Sequence, residues 1–176
     1  MRHSSIRRIL FGLLLALLAS LARSTTEAEL RAAVIYNIAR FVQWPRAAVG
    51  STNFDICTVG NNAVSDALTT LGGKQLNGLP TIIRPARRDR DLTGCRVLYI
   101  APDDTVRMAA ISEILANHRE ATLTISDAPS FLALGGMIQL VVVDDRQRFR
   151  INQDLAEKAN LSINAKLLQL ALPAED

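Results

Sequence analysis

The sequence predicts an α/β fold: a single domain with a mainly parallel sheet flanked by helices, closed by a C-terminal antiparallel hairpin and a C-terminal helix. Three observations carry this reading. Short runs rich in Val, Ile and Leu alternate with segments of helical length between residues 54 and 134, the rhythm of successive βαβ units. Gly, Asn and Asp cluster where the runs end, at Gly60-Asn61-Asn62, Gly72-Gly73, Ser126-Asp127 and Gly135-Gly136, and such clusters mark turns. After Gly136 the rhythm breaks, and two strand-like runs follow one another with no helix between them.

The first element is a helix from Leu30 to Trp44, LRAAVIYNIARFVQW. At about 100° per residue, Leu30, Ala33, Val34, Ile35, Ile38, Phe41, Val42 and Trp44 share one broad arc, with Glu29, Ala32, Tyr36, Arg40 and Gln43 opposite. That arc is the expected core face. Asn37 lies within it, so its amide is expected to be buried and to pin the helix to a neighbouring backbone segment. Pro45 disfavours helical geometry at Trp44 and should end the helix there. A turn at Val49-Gly50-Ser51 leads to a buried strand, Phe54 to Val59, and then to a helix from Ala63 to Leu71. Leu79 to Ile83 reads as a short strand and Pro85 to Asp91 as a charged loop, where Arg84, Arg87, Arg88 and Arg90 interleave with Asp89 and Asp91. Cys95 to Ile100 is the next strand, ended by Pro102, and Asp103 or Asp104 caps a helix from about Val106 to Asn117. Ala121 to Ile125 is the fourth strand and Pro129 to Leu134 a short helix.

The hairpin pairs Met137 to Val143 with Arg148 to Asn152 through Asp144-Asp145-Arg146-Gln147. A last helical stretch, Asp154 to Leu172, breaks into two helices at Asn160 to Asn164.

Residues 1–22 read as a signal peptide and 23–176 as the exported domain. Arg2, Arg7 and Arg8 precede an apolar run of eleven residues, Ile9 to Ala19, and Ser20-Leu21-Ala22 supplies small residues at the cleavage positions. That run is short for a membrane span, which takes roughly 17–25 residues. Removing the leader takes three Arg and no acid from the 20 basic and 17 acidic side chains, leaving 17 against 17. A balanced charge argues against nucleic acid or an anionic membrane as the main partner. Two cysteines, Cys57 and Cys95, enter an oxidising compartment on this reading, where a disulfide is the default expectation. Two buried thiols and a metal pair are the competing readings.

Catalytic signatures are nearly absent. His3 lies in the leader, so any histidine-based triad would be built around His118, and the chain has no HExxH, GxSxG or Walker A motif and no metal-spaced His/Cys cluster. No enzyme activity, metal or cofactor is implied. Open α/β sheets bind ligands beyond the carboxyl ends of their strands, where Gly60, Asn61, Asp103, Ser126 and Asp127 are expected to gather. They form a ligand pocket on one reading, whereas on the other Asp103, Asp127 and Asn61 or Asn62 merely cap the following helices. Arg146, Arg148 and Arg150 alternate and share one strand face, with Phe149 and Ile151 toward the core. Such a stripe suits anion binding, or it is a solvated sheet face paired with Asp144 and Asp145. Tyr36, Arg40 and Trp44 form a candidate partner-binding patch, since aromatic and Arg residues often dominate interfaces. The alternative places Trp44 in the core and Arg40 in solvent.

Five blocks in order resemble the YfiR family of bacterial periplasmic proteins: Tyr36 to Pro45, YNIARFVQWP; Leu123 to Asp127, LTISD; Phe131 with Gly135-Gly136-Met137-Ile138; Arg148 to Asn152, RFRIN; and Leu161 to Ala171, LSINAKLLQLA. The resemblance covers nearly the whole mature chain. Cys57 and Cys95 also resemble a cysteine pair of family members, although other members carry further cysteines that this chain lacks. The resemblance implies a non-catalytic periplasmic regulator that binds the periplasmic sensor part of an inner-membrane diguanylate cyclase and holds it inactive. It also implies an outer-membrane lipoprotein that titrates the repressor away. Members that serve sensor kinases widen the partner class. The rival from another class is a periplasmic small-molecule-sensing or transport-accessory binding protein, and either accommodates an oligomer.

Overall fold

A computed structural model describes residues 27–45, 52–118 and 121–173 of the 176. The expected leader, 1–22, and the turn at Val49-Gly50-Ser51 lie outside the described residues. A helix over 27–39 (α1) leads to the two-residue strand Val42–Gln43 (β1). Then follow Phe54–Val59 (β2), Ala63–Thr69 (α2), Gln75–Leu76 (β3), Leu79–Pro85 (β4), Val97–Ile100 (β5), Met108–Asn117 (α3) and Leu123–Ser126 (β6). Ile138–Val143 (β7), Arg146–Ile151 (β8), Gln153–Lys158 (α4), Ser162–Ile163 (β9) and Ala165–Leu170 (α5) complete the chain. Seven strands make one sheet in the order β3-β4-β2-β5-β6-β7-β8. The five central strands are parallel, and β3 and β8 join the two edges antiparallel. The fold is the mainly parallel α/β sheet with a C-terminal hairpin that the sequence predicts.

Strand alternation sends successive side chains to two cores. Phe54, Ile56, Val97, Tyr99, Leu123, Ile125, Ile138 and Leu140 pack with α1, α2, α4 and α5 on one face. Cys57, Val59, Leu98 and Ile100 pack with Met108, Ile111 and Leu115 of α3 on the other. Cys57 and Cys95 are joined by a disulfide, with Cα atoms 5.7 Å apart across 38 residues of sequence. Cys95 lies just before β5 rather than opening it, and its backbone N–H turns back onto Leu92 O, which brings it over Cys57.

Helix α1 meets the sheet on a different face from the expected one. Ala28, Ala32, Ile35, Ile38 and Ala39 are buried, while Leu30 and Phe41 are 51% and 40% exposed. The buried line is rotated from the apolar arc by roughly a third of a turn. Small alanines at Ala28, Ala32 and Ala39 let the helix approach the strands closely, and that packing outweighs the bulk of Leu30 and Phe41. Asn37 therefore faces solvent, and the expected buried amide is corrected. Asn37→Leu should shift stability by no more than about 0.5 kcal/mol, measured by thermal melting; a loss several times larger would restore a structural role.

Pro45 is not what stops the helix. The last turn tightens through Arg40 N–H to Asn37 O and Phe41 N–H to Ile38 O, after which Val42 and Gln43 pair antiparallel with Ile163 and Ser162 of β9. Pairing with a distant strand overrides the local helical pattern. The same strand fills the expected break in the C-terminal helical stretch. Residues 129–134 form turns rather than a helix, with Ser130 in a left-handed conformation, because one turn of helix is too short to hold itself. Asp103 and Asp104 do not cap α3; a 3-10 segment, Pro102–Arg107, feeds directly into it. Two hairpin turns carry positive φ, Asn77-Gly78 before β4 and Asp144-Asp145 before β8. The latter starts β8 at Arg146, earlier than expected. Arg84 is also no loop residue: it ends on Asp55 Oδ2 at 3.0 Å and on the carbonyls of Asp91 and Thr93. Among the described residues no helix is long and apolar enough to cross a membrane.

Candidate functional site

The topology brings the ends of β2, β5 and β6 side by side, so Gly60, Asp103, Ser126 and Asp127 do lie at the carboxyl edge of the sheet. Their side chains do not converge. Asn61 and Asp103 are exposed. Ser126 is fully buried, and its Oγ accepts the Ala128 N–H at 3.0 Å. At Gly60, φ is +81° and a Cβ would collide with the Asp104 carboxylate, so glycine is required and that space is filled.

Asp127 instead belongs to a polar chain that sequence reading missed. Asn62 caps α2, as one sequence reading expects, by accepting the N–H groups of Val64 and Ser65, and its Nδ2 donates to Tyr99 Oη at 2.9 Å. Tyr99 Oη donates to Asp127 Oδ1 at 2.7 Å. Arg31 of α1 donates from one nitrogen to Asp127 Oδ2 at 2.8 Å and from another to Glu27 Oε1 at 2.6 Å, with Nε on Gln147 Oε1. Gln147 in turn donates to Val141 O at 2.9 Å. This chain runs from α2 through the centre of the sheet to α1 and β8, along the edge where a ligand would enter an open α/β sheet. The space left beside Arg31 and Asp127 is a cleft of about 260 Å³ that also borders Gln139 and Gln147. Arg31 offers no unspent charge there, because two carboxylates and an amide already engage it.

Burial holds the Tyr99 hydroxyl well above its ordinary value near 10; the Asn62 hydrogen bond opposes that shift and Asp127 adds to it. A group whose folded pKa is raised contributes stability below its unfolded pKa and loses it as pH climbs past that value. Tyr99→Phe should therefore cost about 1–3 kcal/mol at neutral pH. It should also flatten the fall in stability above pH ~10. Denaturant titrations at neutral and alkaline pH check this, and parallel alkaline curves for the two proteins would contradict it.

The proposed partner patch separates into anchors and surface. Tyr36 Oη donates to Gln75 O at 2.6 Å. Trp44 donates through Nε1 to Arg96 O at 3.2 Å and stands edge-on to Phe54, ring centres 5.1 Å apart. Both aromatics thus fix α1 and its exit to the sheet, whereas Arg40, Phe41, Asn37 and Leu30 are exposed. The Arg stripe divides similarly. Arg146 and Arg148 are exposed around a depression of about 440 Å³ with Val143, Asp144 and Leu172. Arg150 turns to Pro173 O at 3.1 Å, where Leu172 bridges β8.

The result is an α/β domain whose central polar cluster ties α1, α2 and the sheet together and whose candidate interaction features lie on the exposed side of α1 and the turn that follows it. The chain belongs to the YfiR/HmsC-like family, which it matches over residues 28–172. In fold it is similar to the crystal structure of a conserved domain protein from Vibrio cholerae O1 biovar El Tor, with a TM-score of 0.55 at 16% identity. That likeness covers 84% of this chain and spans only 60% of the Vibrio chain.

Proposed function

We propose that the protein is a non-catalytic periplasmic regulator that binds the periplasmic sensor part of an inner-membrane signalling protein, represses a diguanylate cyclase and so lowers cyclic di-GMP. The observation that carries this reading is the family match across 28–172, nearly all of the described chain. Residues 1–22 act as the export signal and 23–176 as the periplasmic domain; the Cys57–Cys95 disulfide suits that compartment. A sensor kinase is the related partner class, and an outer-membrane lipoprotein is the protein that would draw the regulator away.

Arg40 is the patch residue that meets the partner, together with Phe41 in the turn after α1 and with Leu30 and Asn37 on the exposed side of that helix, while Tyr36 and Trp44 hold the helix in position. Exposed Leu and Phe beside an Arg provide the apolar anchor and charged rim of a binding patch. Deleting the gene should raise cyclic di-GMP and surface attachment, and Arg40→Glu with Phe41→Ser should reproduce the deletion with melting unchanged. Normal repression by that double variant would remove α1 from the interface. Unchanged cyclic di-GMP on deletion would remove the cyclase as the target.

A further inference from the structure

A third concavity lies at the opposite end of the sheet from Asp127. It is a groove of about 370 Å³ between α3, α4 and the amino ends of β6 and β7, within the roughly 300–1,000 Å³ range of small-molecule sites. Its walls are mainly apolar, with Met108, Leu115, Met137, Leu155 and Ala159 among them. Met108 and Met137 are the two methionines of the chain other than Met1, and both face this groove. Methionine side chains adapt to ligands of varied shape and recur at apolar binding surfaces.

The polar groups at the groove divide into spent and available. Thr122 Oγ1 donates to Cys95 O at 2.7 Å, and Thr124 Oγ1 accepts the Met137 N–H at 3.1 Å, so both hold the fold. Lys158 is the one charged side chain among the lining residues; it is exposed and has no carboxylate partner among the described residues. Ser112 also lines the groove, and its hydroxyl has no hydrogen-bond partner among them. Among the described residues, an apolar trough with one unpaired cation at its rim, a hydroxyl nearby and no acid in its lining complements a molecule with an apolar body and a single negative head. A doubly charged anion would leave one charge without a partner, and a cation would meet Lys158 repulsively.

We propose that this groove binds a soluble amphipathic monocarboxylate, with its alkyl or aryl body between α3 and α4 and its carboxylate on Lys158. The site is separate from the outer face of α1, so its failure would leave the regulatory reading untouched.

The test uses the exported domain, labelled with carbon-13 at its methionine methyls and titrated with decanoate below its micellar concentration, with decanol and decylammonium as controls. Saturable shifts of the Met108 and Met137 methyls are expected with decanoate, with weaker binding of decanol and weakest of decylammonium. Lys158→Gln should reduce decanoate affinity about tenfold and leave decanol affinity unchanged. Ser112→Phe should fill the groove and abolish binding of both; because Lys158→Gln changes only a surface side chain, the test stands even if the bulkier variant folds poorly. Absence of saturable methyl shifts, equal affinity for decanoate and decylammonium, or an unchanged decanoate affinity in Lys158→Gln would each overturn the proposal.

Discussion

Replacing Cys57 and Cys95 together by alanine should lower the stability of the domain by about 4 kcal/mol, the chain-entropy value for a loop of this length. The bond ties the middle of β2 to the segment entering β5 across 38 residues of sequence. The intervening chain contains α2, β3 and β4, so the unlinked unfolded state gains freedom over nearly a quarter of the sequence. Both cysteines are buried against Leu98, Ile100 and Met108, and removing two sulfurs there also loosens packing. For a domain of this size the loss corresponds to a melting temperature lower by roughly 8–16 °C. Thermal melts of the wild type and the double variant, with and without reductant, measure it. Reductant should destabilise only the wild type. A double variant that melts with the wild type, or a wild type indifferent to reductant, would contradict a structural disulfide.

The second large effect is expected at Asp127. Asp127→Ala should cost about 3 kcal/mol, because in a single step it strips a buried hydroxyl of its acceptor and a guanidinium of its most buried one. Arg31 and Asp127 are only 24% and 10% exposed at the side chain, so water screens the pair weakly. Asp127→Asn keeps an acceptor for Tyr99 and should cost clearly less. A double-mutant cycle with Arg31→Met isolates the pair and should return a coupling of about 1–3 kcal/mol. Amide exchange should quicken most in α1, which the pair fastens to β6. A loss under about 0.5 kcal/mol for Asp127→Ala would mean that the polar chain is incidental.

The α/β class, the parallel centre of the sheet and the closing hairpin were legible because Val, Ile and Leu runs alternate with helical segments and glycine turns. That signal survives small errors in boundaries. Details that depend on long-range pairing were not legible. Val42 and Gln43 carry a helical pattern yet pair with Ser162 and Ile163, and nothing local announces a partner so distant in sequence. The rotation of α1 escaped because a hydrophobic arc weighs Leu30 and Phe41 above alanine; the spacing of Ala28, Ala32, Ile35 and Ala39 was the signal for close packing. Rotating the helix correctly would also have turned Arg31 toward the sheet. Tyr99 lay hidden within an apolar strand, where a lone hydroxyl reads as core until the turn residues Asn62 and Asp127 are placed on either side of it. The Asn77-Gly78 turn was legible and was missed.

The most direct test of the regulatory account measures cyclic di-GMP in a deletion strain while the protein is restored in graded amounts and quantified against its membrane partner. A binding repressor acts by occupancy, so the account expects cyclic di-GMP to fall in proportion to the protein and to level off once the partner is saturated. Unchanged cyclic di-GMP at every level, or full suppression by protein far below the amount of any membrane partner, would contradict it.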